Sequence, residues 1–128
     1  MIIDTSAILA VFFEEPEAVT ITEFLSRAGP KRLSAANYVE CAIKLDNVVA
    51  GASLELDAFL EEAGIEVVAV TYAQARGARL AHQRFGRGRH PAGLNFGDCF
   101  AYALARETDE PLLFKGHDFS RTDLATLP

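Results

Sequence analysis

Four carboxylates from well-separated parts of the chain, Asp4, Glu40, Asp98 and Asp118, offer the most direct chemistry in this sequence. Carboxylates brought together repel and raise one another's pKa unless a positive charge sits among them. A hard divalent cation, Mg²⁺ or Mn²⁺, answers that repulsion, because oxygen ligands suit it and it keeps waters for a substrate. Such a centre hydrolyses phosphodiesters by making bound water a nucleophile and stabilising charge on the leaving oxygen. Thr5 and Ser6 flank Asp4 with hydroxyls able to orient its carboxylate. Each acid also has a plain structural reading. Asp98 suits the positive end of a helix, Glu40 a solvated helix face, and Asp118 an N-cap. Asp4 has the least structural work to do, since it simply ends an apolar run at the chain start.

The elements that must position these acids follow from periodicity and punctuation. Met1 to Ile3 reads as a buried strand with Asp4 at its tip, and Thr5 and Ser6 as caps for a short helix over Ala7 to Phe13. Pro16, among acids that suit a helix N-terminus, begins a second helix to about Ala28, which Gly29-Pro30 stops. Arg32 to Ser34 is a short strand. From Ala35, the positions Ala36, Val39, Ile43, Leu45 and Val49 predict the apolar face of the helix that carries Glu40. Ser53 caps a helix to Ala63, ended by Gly64, and Ile65 to Val70 is β-branched and strand-like. A helix runs from Thr71 through Arg84, then a Gly- and Arg-rich loop from Phe85 to Asn95. A helix from Phe96 to Arg106 holds Asp98 in its first turn, and Leu112 to Phe114 is a last strand before Lys115-Gly116-His117-Asp118. Alternating strands and helices predict one α/β domain over residues 1–128 with a mainly parallel sheet. Ligands of open parallel sheets bind beyond the carboxyl ends of the strands, where all four acids are expected to converge.

Composition narrows the class. Half of the 128 residues are hydrophobic and 23% are charged, the balance of a globular domain. No apolar run approaches the roughly 20 residues that span a bilayer, and the acid at position 4 does not suit a signal peptide, so a cytoplasmic protein without membrane association is expected. Cys41 and Cys99 lie in apolar helical stretches with neither metal nor redox spacing. The net charge of −6 disfavours a phosphate-binding partner until its distribution is considered. No acid occurs between Val67 and Phe96, whereas Arg76, Arg79, Arg84, Arg87 and Arg89 fall there with His82 and His90. Arg76, Arg79, Arg87 and Arg89 are therefore candidate contacts for a nucleic-acid backbone, against the plainer reading of a solvated face and loop. Val11, Phe12, Phe13, Phe24 and Leu25 form an apolar cluster that suits either core or a partner surface.

Together, the stretches IIDTSAILAVFFEEPEA, AANYVECAIKL, LNFGDCFAYALARE and LLFKGHDFSRTDL resemble the PIN-domain ribonucleases. More narrowly they resemble the VapC toxin branch of bacterial type II toxin–antitoxin systems, over essentially the whole chain. The resemblance implies a PIN-like (Rossmann-like) three-layer α/β/α sandwich, usually a homodimer, that cleaves RNA with Mg²⁺ or Mn²⁺. It implies that the acids are Asp4, Glu40, Asp98 and Asp118, with Asp4, Glu40 and Asp98 as metal ligands. It also implies a cognate VapB-type antitoxin whose C-terminal segment occludes the groove. Relatives of this pattern often carry a further acid where His117 stands, which leaves Asp123 in SRTDL as a rival to Asp118. Asn95, Thr5 and Ser6 are expected to support the acids, and Lys44 to pair with Glu40 at i,i+4. Two other classes compete: a repressor subunit that keeps the fold without chemistry, and a phosphatase or DNA nuclease using the same metal chemistry. Retention of all four acids disfavours the first.

Overall fold

The computed structural model describes residues 1–127. The chain runs β1 (Ile2–Ile3), α1 (Thr5–Phe12), α2 (Ala18–Leu25), β2 (Lys31–Ser34), α3 (Ala35–Val48), α4 (Ser53–Ala63), β3 (Ile65–Val68), α5 (Tyr72–Phe85), α6 (Phe96–Thr108), β4 (Leu112–Leu113), a 3₁₀ turn (Phe119–Arg121) and β5 (Thr126–Leu127). The five strands form one sheet in the order β3-β2-β1-β4-β5, with every pairing parallel. The chain winds outward from β1 through β2 to β3, then crosses back to place β4 on the other side of β1. The boundary between β1 and β4 is therefore a topological switch point, where the connections diverge and open a crevice at the carboxyl ends.

Alternation along the two central strands builds the layers. Ile2 and Leu112 face one core, with α5 and α6, and Ile3 and Leu113 face the other, with α1, α2, α3 and α4. All four side chains are fully buried, as a parallel sheet covered on both faces requires. This is the three-layer α/β/α arrangement. Helix α6 lies against α5 along small residues: a Cβ on Gly77 would touch the Cβ of Ala103 at 3.4 Å. Among the described residues, no helix is long and apolar enough to cross a membrane.

Several local expectations are corrected. Asp4 itself, rather than Thr5 or Ser6, caps α1, its Oδ2 accepting from the Ser6 N–H at 3.0 Å. Helix α3 buries Asn37, Cys41 and Leu45, whereas Val39 and Ile43 are 52% and 55% exposed. The helix turns its polar Asn37 inward because α6 offers that side chain a partner, and the apolar positions rotate out. Ser53 does not cap α4; its N–H and hydroxyl both donate to Asp46, tying the end of α3 to the start of α4. Gly64 ends α4 in the left-handed region at φ 69°, as its lack of a Cβ allows. The segment 86–94 is pinned at its base by reciprocal bonds, Arg87 N–H to the Leu94 carbonyl and Leu94 N–H to the Phe85 carbonyl. Ala92 and Leu94 are buried there, leaving Arg87 and Arg89 exposed. Strand β5 carries no sequence signal; two residues beside β4 are too few for a pattern.

Leu33 on β2 is fully buried. Leu33→Ala is expected to cost about 2–5 kcal/mol through lost transfer energy and the cavity left behind. Urea denaturation would show this as a lower midpoint at an unchanged m value.

Candidate active site

A cleft of about 260 Å³ opens at the carboxyl edge of the sheet, lined by Asp4, Thr5, Ser6, Leu9, Phe13, Glu15, Glu40, Lys44, Asn95, Asp98, Lys115, Asp118 and Phe119. Four chain segments converge here, each delivered by an element end. Asp4 follows β1 directly and caps α1, so its carboxylate meets the positive end of that helix. Its side chain is only 3% exposed, and while Oδ2 is held by the Ser6 N–H, Oδ1 has no partner. The hydroxyl of Thr5 is turned away, donating instead to the Asn37 carbonyl at 3.2 Å. The Ser6 hydroxyl accepts the Lys115 N–H at 2.9 Å, which ties the loop after β4 to α1.

Asp98 is set by a reciprocal capping box at the start of α6. The Asn95 Oδ1 accepts from the Asp98 N–H at 2.9 Å, and the Asp98 Oδ2 accepts from the Asn95 N–H at 3.0 Å. Glu40 rises from the second turn of α3, with Lys44 one turn on at 3.8 Å and the Asn37 amide at 3.4 Å from Oε1. Asp118 is the exposed member, at the mouth; it precedes the 3₁₀ turn but makes no side-chain capping bond. Lys115 is ion-paired with Glu15 and lies 3.9 Å from Glu17.

Burial and mutual repulsion shape the electrostatics. Burial pushes the Asp98 carboxyl up to about 7, with the charge of Asp4 the next cause and Asp118 and Glu40 adding to it against the Asn95 N–H. Burial also raises Asp4, opposed by Ser6 through its hydroxyl and N–H; the Glu40 charge adds to the rise and Lys44 opposes it.

Not every candidate residue reaches the cleft. Asp123 accepts from the Tyr102 hydroxyl at 2.6 Å and lies 3.6 Å from Arg84 and 3.8 Å from Arg106, in a separate polar cluster. That engagement holds its carboxyl below the usual range, and it does not line the cleft. Arg76 and Arg79 are exposed on α5, away from the lining, and Arg76 lies over the Tyr72 ring. Cys41 and Cys99 are free and buried, their thiols pushed up to about 12 and about 11 by burial, so neither is a nucleophile. Sequence reasoning missed Lys115, Asn37 and Gly97. The signal available for Asn37 was its place one turn before Glu40 on the same face.

The donor set fits a hard divalent cation. A buried carboxylate oxygen without a partner needs a proton or a cation, and Glu15, Glu40, Asp98 and Asp118 share its cleft. Among the described residues no three acids, histidines or cysteines form a ready-made cage. An ion that keeps several waters needs none, because those waters can bridge it to acids of the cleft that do not touch it.

Known proteins share this chain's sequence pattern and fold. The PIN domain family pattern matches residues 1–124. The chain is 52% identical over 127 residues to Ribonuclease VapC28 of Mycobacterium tuberculosis, covering 95% of this chain and 93% of that protein. It is 44% identical over 128 residues to Ribonuclease VapC of Mycolicibacterium smegmatis, covering 99% of each. Among solved structures, the sarcin–ricin-loop-cleaving toxin VapC20 of M. tuberculosis superposes with a TM-score of 0.79 at 18% identity, covering 97% of this chain and 95% of that one. VapBC2 from Rickettsia felis, bound to a DNA fragment of its promoter, superposes at 0.76 with 12% identity, covering 98% and 96%.

The raised acids make stability depend on pH with a definite sign. An acid whose folded pKa exceeds its unfolded value binds its proton more tightly in the native state, so stability is fully present below the unfolded value near 4 and falls as pH rises towards 7. Metal-free protein is expected to melt on the order of 5 °C lower at pH 8 than at pH 5, the shift of about 1 kcal/mol in a domain of this size. Asp98→Asn should remove most of that slope. A slope unchanged in this variant, followed by calorimetry in EDTA, would place the repulsion elsewhere.

Proposed function

The chain belongs to the PIN-domain family and, within it, to the VapC ribonucleases, and on that premise we propose that its cleft cleaves RNA with a divalent cation held by Asp4, Glu40 and Asp98. The observation that carries this is the buried, unpartnered Oδ1 of Asp4 in one cleft with Glu40, Asp98 and Asp118 at the switch point of the sheet. A bound Mg²⁺ or Mn²⁺ would supply an activated water and positive charge opposite the leaving oxygen. The residues of the chain prepare that step. Ser6 fixes one oxygen of Asp4 and leaves the other free. The capping box with Asn95 holds Asp98, and Asp118, exposed at the mouth, lies where the phosphodiester enters. Leu9 and Phe13 wall one side against water, and Lys115 and Lys44 are the cations within reach of phosphate oxygens. Arg87 and Arg89, exposed on the pinned segment that leads into Asn95 and Asp98, track the RNA backbone, with Arg76 and Arg79 on α5 extending the basic face.

In its cell the enzyme acts as the toxin of a type II pair, neutralised by a VapB-type antitoxin; two of its structural neighbours were solved as toxin–antitoxin assemblies. Two apolar grooves flank α1 as its docking surface, one through Val11 and Phe59, the other through Phe12, Phe13 and Val48. Phe24 and Leu25, by contrast, belong to the core. Val39, Ile43 and Phe96, all more than half exposed, suit burial in a homodimer.

RNA cleavage should require Mg²⁺ or Mn²⁺ and stop with EDTA. Since even supporting residues of a metal site are worth about 10–100-fold, Asp4→Ala and Asp98→Ala should each lose more than about 100-fold in rate. Wild-type cutting by both would sink the assignment. Replacing Arg87 and Arg89 together should weaken RNA binding and flatten the log–log salt dependence by about 0.7 for each phosphate that is no longer neutralised. An unchanged slope in fluorescence titrations would return the loop to a solvated role.

A further inference from the structure

We propose that Asn37 and Gly97 form a clamp that fixes the Glu40 carboxylate against the first turn of α6. The inference rests on the reading of Glu40 as part of the RNA-cleaving site. Asn37 is wholly buried and its Oδ1 has no partner, an expensive position for a primary amide that its N–H groups must justify. Its Nδ2 donates to the Gly97 carbonyl at 2.9 Å and to Glu40 Oε1 at 3.4 Å, joining α3 to the turn that holds Asp98. Its backbone carbonyl accepts the Thr5 hydroxyl, so the residue that follows Asp4 is part of the same knot.

Gly97 supplies an independent observation. It sits in the first turn of α6 without a positive φ, so neither a turn nor a left-handed backbone calls for glycine there. Glycine is less favourable than alanine in a helix. What excludes a side chain is Glu40: a Cβ on Gly97 would lie 2.5 Å from its Cδ and 2.6 Å from Oε1, with Oε2 closer still. With Lys44 3.8 Å from the same Oε2, the carboxylate is bounded by an amide, a bare backbone and an ammonium. Glu is a long side chain with several rotamers, and this enclosure selects one of them. Asn37 and Gly97 are thus positioning residues that act through Glu40.

The test is a double-mutant cycle. Gly97→Ala keeps a helix-compatible backbone and forces only the flexible end of Glu40 to move, so the variant should melt as wild type does. It should bind Mn²⁺ about 10–100-fold more weakly in RNA-free protein, by calorimetry, and need correspondingly more Mn²⁺ for RNA cleavage. In a Glu40→Ala background, where the clash is gone, Gly97→Ala should have no further effect. Asn37→Asp, equal in size but with an acceptor in place of the donor, should give the same pattern and serves if Gly97→Ala misfolds. Wild-type Mn²⁺ binding by Gly97→Ala or Asn37→Asp, or an equal loss in both backgrounds, would overturn the clamp. If Glu40→Ala weakens Mn²⁺ binding and cleavage while Gly97→Ala does not, the clamp alone fails. If Glu40→Ala itself matches wild type, the reading of Glu40 fails and the clamp with it.

Discussion

The structure is organised around a repulsion. Several carboxylates line one cleft, and two of them, Asp4 and Asp98, are largely removed from water. Burial and like charge both disfavour ionisation, and each acts here in the direction that raises the pKa. The fold opposes this with fixed dipoles rather than with buried cations. Asp4 caps α1 and Asp98 lies in the first turn of α6, so both occupy the positive ends of helices and accept backbone N–H groups. These dipoles lower the cost without cancelling it, since both carboxyls remain raised. The remaining imbalance is what makes the cleft a receptor for positive charge.

Holding such a site requires a rigid frame, because repelling groups move apart wherever the scaffold yields. The two central strands are only two residues long, yet both faces of each are covered by helices. Small residues let α6 lie close on α5, which fixes the direction from which Asp98 arrives. The first turn of α6 is bound to α3 through Asn37, and the loop after β4 is bound to α1 through Ser6 and Lys115. The four acids thus come from segments that are tied to one another at the cleft itself, and not only through the sheet.

Much of this was legible in the sequence, and the limits have physical causes. Asp4, at the end of an apolar strand, stands where few structural roles compete, whereas Asp98 suits a helix N-terminus equally well and is singled out by the stretch Asn-Phe-Gly-Asp that resembles the PIN ribonucleases. The parallel sheet followed from alternation of strands and helices. The exposed face of α3 did not follow, because periodicity counts apolar residues and takes no account of a buried amide with a partner on a distant helix. Asp123 looked equivalent to Asp118 from spacing alone. Only the fold shows that Tyr102, Arg84 and Arg106 claim it. Lys115 and Gly97 went unread for the same reason, since their meaning lies in neighbours far along the chain. β5 was invisible because a two-residue strand carries no pattern.

A net charge of −6 and a cleft lined by acids are a poor match for a polyanion until the charge is traced residue by residue. The two lysines of the cleft are already engaged, Lys44 with Glu40 and Lys115 with Glu15 and Glu17. They therefore neutralise acids of the protein before they can meet a phosphate. Positive charge without an ion pair lies outside the cleft, on Arg87 and Arg89 among others, in a segment hydrogen-bonded in place next to Asn95. On the proposed reading, RNA would thus meet attraction at the rim and repulsion at the centre, and a cation attracted by both phosphates and carboxylates would relieve the central repulsion. The same field favours any other positive group that can reach Asp4 and Asp98, including a basic side chain carried in by a protein partner. Competition between such a side chain and a metal ion for one acidic cleft gives inhibition a physical basis in the site itself, with no separate regulatory surface needed to transmit it.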